Sequence, residues 1–295
     1  MKRSAFLNRE GFSAEARLRL THQRHDSSFG KPTPCSRNAL GPTALECNFA
    51  SLITCKEIDL QLQKSGPLPI LSDLQLIAER LPVDGGRLLE LGCGRALTTR
   101  RIAEELPVRE VIATEVDRVQ HEKNLQITEL PTVAFRLGGV EAIEQPDESI
   151  DAVIMLKSLH HVPRHLLRQG LMEIQRVLRP GGIAYFSEPL YAGDFNEILR
   201  LFHDEKAERE NAFEALRAAV DEGLFLLEDE IFFDSISRFQ GFEEFEERIL
   251  GATHTEFAID EALYARIRDR FMQHVGPDGE AEFRNPNRAD LLRKP

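Results

Sequence analysis

Closely spaced cysteines are missing from this sequence. Its four, Cys35, Cys47, Cys55 and Cys93, form no C-x-x-C pair, so the short ligand spacing of structural zinc sites is absent and no metal ligand set is identified. They read as free thiols of a reducing compartment. Long apolar runs are missing too: nothing approaches the roughly 20 residues a membrane-spanning helix needs. Charges stand at the N-terminus where a secretion signal would have its apolar stretch. The expectation is a soluble, cytoplasmic protein with no membrane span. Positive charge is in deficit, with 37 Lys and Arg against 49 Asp and Glu and a net charge of −12. On average such a surface repels phosphate backbones and anionic membranes, which disfavours a nucleic-acid partner. No internal repeat or low-complexity block occurs. Both common phosphate-binding signatures are lacking: there is no G-x-x-x-x-G-K-[ST] loop, and Leu97 stands where G-x-G-x-x-G requires its third glycine.

What is present is enough apolar material for a well-filled core, 42% of 295 residues, and one large α/β domain with appendages is expected. Residues 1–67 are rich in Arg, Ser, Asn and Thr and are broken by Gly30, Pro32, Pro34 and Pro42, with no sustained apolar period. They read as a flexible tail. A transit peptide would share the Arg and Ser content, but Glu10, Glu15 and Asp26 count against it. From residue 68 onward the periodicity becomes regular. Ile70, Leu74, Ile77 and Leu81 recur at helical spacing behind the possible caps Ser72 and Asp73. Strand-like runs follow at 87–91, 110–114, 133–137, 150–156 and 183–187, separated by helical patterns at 96–106, 117–127 and 164–178. Strands alternating with helices predict a doubly wound, mostly parallel sheet. Residues 68–189 form this core. Residues 190–278 read as lid helices, over 196–222, 242–250 and 259–275, with an added strand at 224–237, and residues 279–295 supply a terminal strand.

The chemistry concentrates at the end of the first strand. Leu88-Leu89-Glu90-Leu91-Gly92-Cys93-Gly94 places two glycines where a ligand must approach bare main chain. Glu115 ends the second strand about 20 residues further on, the distance at which a neighbouring-strand carboxylate can accept from both ribose hydroxyls. Together they fit a nucleoside without demanding phosphates.

The ordered segments LLELGCG, VIATEVD, SIDAVIMLKSLHHV and EIQRVLRPGGIAYFSEP resemble the successive motifs of class I S-adenosylmethionine-dependent methyltransferases. The likeness covers residues 68–188 well, extends loosely to the C-terminal strands, and omits the tail. It implies a seven-stranded Rossmann-like sheet with S-adenosyl-L-methionine as cofactor. Glu90, Gly92, Cys93 and Gly94 would then line the methionine portion, Glu115 would bind the ribose, and Val116 would lie beside the adenine. Leu156 and Lys157 would approach the amino-acid end. Where the family often has an acid for the adenine amino group, this chain has Gly139, Val140 and Glu141. Either Glu141 reaches in, or that hydrogen bond is missing at a cost of about 0.5 to 1.5 kcal/mol. Lys157 is a second departure, since a cation near a sulfonium is unfavourable unless its head reaches water.

Methyl transfer from a sulfonium needs nucleophile and methyl held in line with water excluded, and no fixed catalytic residue. For a hydroxyl acceptor a general base helps, and His160 or His161, after the fourth strand, is the expected one. Glu188, ending the fifth strand, could orient an acceptor or cap the segment that follows. Phe202, Phe213, Phe225, Phe232 and Phe233 are core or the wall of an apolar acceptor site. The reading that results is a methyltransferase acting on a small-molecule acceptor. A nicotinamide-dependent oxidoreductase and a non-catalytic cofactor-binding partner protein are the alternatives, the latter motivated by Gly139 and Lys157.

Overall fold

In the computed structural model, residues 60–251 and 257–295 are described. Seven strands form one sheet in the order β3-β2-β1-β4-β5-β7-β6. They are β1 (Arg87–Leu91), β2 (Glu110–Glu115), β3 (Val133–Leu137), β4 (Ile150–Leu156), β5 (Leu178–Pro189), β6 (Leu226–Phe239) and β7 (Ala281–Arg293). The first five pair in parallel, while β7 runs antiparallel to both β5 and β6. The parallel part reverses its order between β1 and β4, and in open α/β sheets ligands bind at the carboxyl ends of strands beside such a reversal.

Side chains alternate across the sheet and fill a core on each face. Leu89, Val153, Met155, Ala184 and Phe186 pack on one side against α4 (Arg164–Val177) and α6 (Lys206–Asp221), which contribute Leu167, Leu171, Ile174, Phe213 and Leu216. Leu88, Ala152, Ile154 and Tyr185 pack on the other side against α1 (Asp73–Arg80) and α2 (Leu97–Glu105) through Leu74, Ile77 and Ile102. Ser72 and Asp117 cap α1 and α3 (Arg118–Asn124), each accepting a first-turn N–H with its side chain. No helix among the described residues is long and apolar enough to cross a membrane.

Most of the expected tail, residues 1–59, lies outside the described residues together with Cys35, Cys47 and Cys55. Its last part is described. Leu60 is buried, Gln61 N donates to Glu230 Oε1 at 2.6 Å, and Ile70 bridges to Asp234, so this segment follows the sheet's edge strand β6.

The continuous helix expected over 196–222 is instead two, α5 (Asp194–Leu199) and α6. The Asp204 carboxylate accepts the Lys206 N–H at 3.2 Å, an end-capping contact that competes with continued helix. The break positions Glu205. Residues read as lid helices also divide in two: α6 is part of the layer covering the sheet. α5, α7 (Phe242–Phe245, continuing as a π turn) and α8 (Glu261–Met272) build a separate apolar cluster with the ends of β6 and β7.

Candidate functional site

Two short arcs of chain meet at the carboxyl ends of β1, β2 and β4. After β1 the backbone turns through Gly92 (φ +78°) and Gly94 (φ +51°), both left-handed, as is Ala96, before α2 begins. A Cβ on Gly92 would come within 2.8 Å of Ser158 Cβ, whose hydroxyl in turn donates to Leu91 O at 2.9 Å. Gly94, by contrast, opens onto space, with nothing within 4 Å of where a Cβ would stand. Bare main chain is therefore presented to the cleft. The buried Asn124 of α3 holds the loop from behind by donating to Gly94 O at 2.8 Å.

Glu115 crosses from β2 to this loop. Its Oε2 accepts the Gly94 N–H at 2.7 Å, and its Oε1 accepts the N–H groups of Val116 and Asp117 at 2.8 and 2.9 Å. Val116 beside it is 66% exposed, an apolar side chain left uncovered at the rim. Glu90 lies beneath, fully enclosed. Burial raises its carboxyl to about 7, against the Thr99 hydroxyl, which donates to it at 2.6 Å and pulls the other way. Cys93 is buried in the same loop, and burial, with Glu90 and Glu115 adding to it, holds it firmly as a thiol.

The residues at both departures have defined surroundings. Gly139 leaves room for the Glu141 carboxylate, which occupies the place a Cβ would need, while Val140 turns inward against Gly170. Lys157 adopts the left-handed conformation (φ +54°) at the end of β4 while its N–H donates to Ser187 O at 2.7 Å. Its Nζ lies 3.5 Å from Asp73 Oδ2, drawn to a carboxylate that also accepts from Tyr185. Leu156 before it is half-buried.

A second group of side chains gathers at the ends of β4 and β5. His160 and His161 occupy a single 3-10 turn (Leu159–His161), with ring centroids 4.1 Å apart. His160 is buried: its Nδ1 bonds Glu188, and its Nε2 faces Glu205 Oε1 at 3.6 Å. Glu188 also accepts the Leu159 N–H at 2.9 Å. Burial works against a charge on His160, but Glu188 and Glu205 outweigh it and bring the ring up to about 9. Glu188 and Glu205 thus favour the protonated ring, which counts against the expectation of His160 as general base at neutral pH. Glu205 is held far below the usual carboxylate range: burial opposes this, and His160 and Arg209, which donates at 2.8 Å, overcome it. His161 is half-exposed, with Nδ1 3.8 Å from the same Glu205 oxygen.

Glu205, Arg209, Thr99, Ser158 and Asn124 were not singled out in the sequence. Glu205 reaches the histidines only because the helix breaks after α5, and an apolar pattern does not display such a break. The phenylalanines considered as an acceptor wall are mostly core: Phe213, Phe225, Phe232 and Phe233 are buried, and Phe202 packs edge-on to Phe257.

Comparison with known proteins agrees with the geometry. Residues 88–182 match the family model described as a methyltransferase domain. An uncharacterised methyltransferase of Mycobacterium tuberculosis is 33% identical over 102 residues, which is 35% of this chain and 39% of that protein. The 27-O-demethylrifamycin SV methyltransferase of Amycolatopsis mediterranei is 34% identical over 113 residues, 36% of this chain and 40% of the relative. The chain thus matches about two fifths of the length of these curated relatives. Among solved structures, the YcgJ protein of Bacillus subtilis aligns over 75% of this chain and 97% of its own, with a TM-score of 0.52 at 18% identity. The [4+2]-cyclase SpnF aligns over 75% and 79%, with a TM-score of 0.50 at 24% identity. These two show the fold. Residues 88–182 are thus similar to a methyltransferase domain, on a fold shared with these solved structures.

Proposed function

We propose that this chain transfers the methyl group of S-adenosylmethionine to a small-molecule acceptor by in-line displacement. One observation carries the reading: within the matched stretch, the Glu115 carboxylate and the open main chain at Gly94 stand side by side at the ends of adjacent parallel strands. The residues present fit the cofactor. Glu115 would accept from the ribose, Val116 would cover a face of the adenine, and Glu141 would accept from the adenine amino group where Gly139 has no side chain. Gly92 and Gly94 would leave room for the methionine chain above Glu90, whose negative form suits a cationic ligand end. The cofactor supplies an activated methyl on a good leaving group.

The protein's own part is positioning. Ser158 and Asn124 fix the loop, Asp73 draws the Lys157 ammonium aside, and the sheet's carboxyl edge brings the acceptor end beside the histidine pair. Proton removal from a hydroxyl acceptor would fall to this histidine pair, and the half-exposed His161 is the member an acceptor can reach. A small acceptor is supported by the net charge of −12 and by the Amycolatopsis relative, a 27-O-demethylrifamycin SV methyltransferase.

The experiment is product capture. Purified protein incubated with methyl-labelled S-adenosylmethionine and a fractionated small-molecule extract is expected to pass label to a low-mass compound. Label appearing only in nucleic acid or protein fractions, or nowhere while S-adenosylhomocysteine binds, would refute small-molecule transfer.

A further inference from the structure

The cluster at the ends of β4 and β5 has more organisation than methyl transfer requires. One ring nitrogen each of His160 and His161 and a Glu205 oxygen lie within 4.8 Å of one another. We propose that these three residues bind one divalent transition-metal ion of the zinc class.

The spacing suits an ion. Ligands about 2.1 Å from a tetrahedral centre stand roughly 3.4 Å apart, and here Glu205 Oε1 is 3.6 Å from His160 Nε2 and 3.8 Å from His161 Nδ1. A contraction of a few tenths of an ångström, roughly, brings Glu205 into range of both imidazoles, and the half-exposed His161 ring is the member able to swing toward His160 to complete the set.

The supporting contacts point the same way. Metal-binding histidines characteristically give their other ring nitrogen to a carboxylate, which fixes the tautomer and aims the free nitrogen. His160 has that arrangement, with Nδ1 on Glu188 and Glu188 anchored by the Leu159 N–H, and an ion at Nε2 would take the place of the ring's second proton, which is released to water. Glu205 is oriented likewise, its Oε2 taken by Arg209 at 2.8 Å, which turns Oε1 toward the imidazoles. His203 Nε2 lies 2.9 Å from that same Oε1, a further nitrogen at the exposed side.

Imidazole and carboxylate without thiolate favour zinc and its neighbours over magnesium or calcium, which prefer all-oxygen shells. Three protein ligands leave a fourth position open, the pattern of catalytic rather than structural sites. The half-exposed His161 puts that position on the solvent side. One consequence rests on the methyltransferase reading, although the binding does not: a hydroxyl acceptor on the ion would lose its proton more readily. His161 would then be a ligand and not a proton acceptor.

The test uses the full chain, stripped with a chelator and then titrated with Zn²⁺ by calorimetry and with Co²⁺ by visible absorption. One ion per chain is expected, with Co²⁺ bands of low-symmetry coordination. Affinity should fall at least about tenfold in Glu205→Gln and in His161→Ala; the latter alters a half-exposed side chain, and circular dichroism checks both folds. Substoichiometric binding of both metals overturns the proposal, and so does one-to-one binding that neither substitution weakens. S-adenosylhomocysteine affinity, measured on the same stripped samples, is expected to be unchanged and separates a failure here from a failure of the methyltransferase reading.

Discussion

Glu90 is a carboxyl group enclosed by protein with one hydroxyl for company, and its raised value of about 7 makes it a stability reporter. Between its ordinary value of 4.5 and about 7 the folded state holds a proton that the unfolded chain has lost. Stability contributed by this group therefore falls as pH rises through that window. At one pH unit per 1.36 kcal/mol the loss is about 3 kcal/mol. Glu90→Gln removes the titration. In urea unfolding without cofactor, the variant should gain about 3 kcal/mol on the wild type between pH 4 and pH 8, and parallel pH curves would show that Glu90 is ionised throughout. Residue by residue, the placement of Gly92, Gly94 and Glu115 was legible because it is local: they sit at fixed distances from recognisable strand ends. The partners of Lys157 and His160 were not legible. Asp73 and Glu205 reach them from 84 and 45 positions away through packing that no spacing rule encodes.

At the scale of elements, β1 to β4 appear within a residue of where the apolar pattern placed them, whereas β5 begins at Leu178 and not at 183, its first residue pairing with Ile150 ahead of a register shift. Helix ends were equally readable where a side chain caps them, as at Ser72 and Asp117. Past Pro189 the reading loosened, since an apolar period at 196–222 is satisfied as well by two helices as by one, and tertiary contacts to Glu205 and Arg209 decide. The α5, α7 and α8 cluster illustrates a second limit. Phe195, Phe239, Phe245, Phe271 and Phe283 pack ring on ring, with centroids 5.0 to 6.2 Å apart where neighbouring pairs meet. Such rings fill one another's space, as core residues do. Phe271→Ala should cost about 3 to 5 kcal/mol in chemical denaturation while leaving S-adenosylhomocysteine affinity in folded protein unchanged. A stable variant with an impaired acceptor KM would instead put these rings in the acceptor site.

For the whole molecule, the sheet brings two kinds of chemistry to one edge: a cleft of glycine main chain and carboxylate at β1 and β2, and a histidine–carboxylate group at β4 and β5. The antiparallel β7 and β6 extend the sheet beyond the second group and carry the C-terminal cluster, so the matched stretch of 88–182 contains the cleft and only the histidines of the second group. That division explains why cofactor class could be read from motifs while the acceptor could not. Glu205, Arg209 and α6 lie outside the matched stretch.

Calorimetric titration of S-adenosylhomocysteine into wild-type protein and Glu115→Ala addresses the cleft directly. Charge-assisted hydrogen bonds contribute about 1.5 to 3 kcal/mol each, so the account predicts saturable wild-type binding that weakens at least about tenfold in the variant, with NADH binding to neither. Equal affinity in the two proteins, or a wild-type chain that takes NADH and ignores S-adenosylhomocysteine, would contradict it.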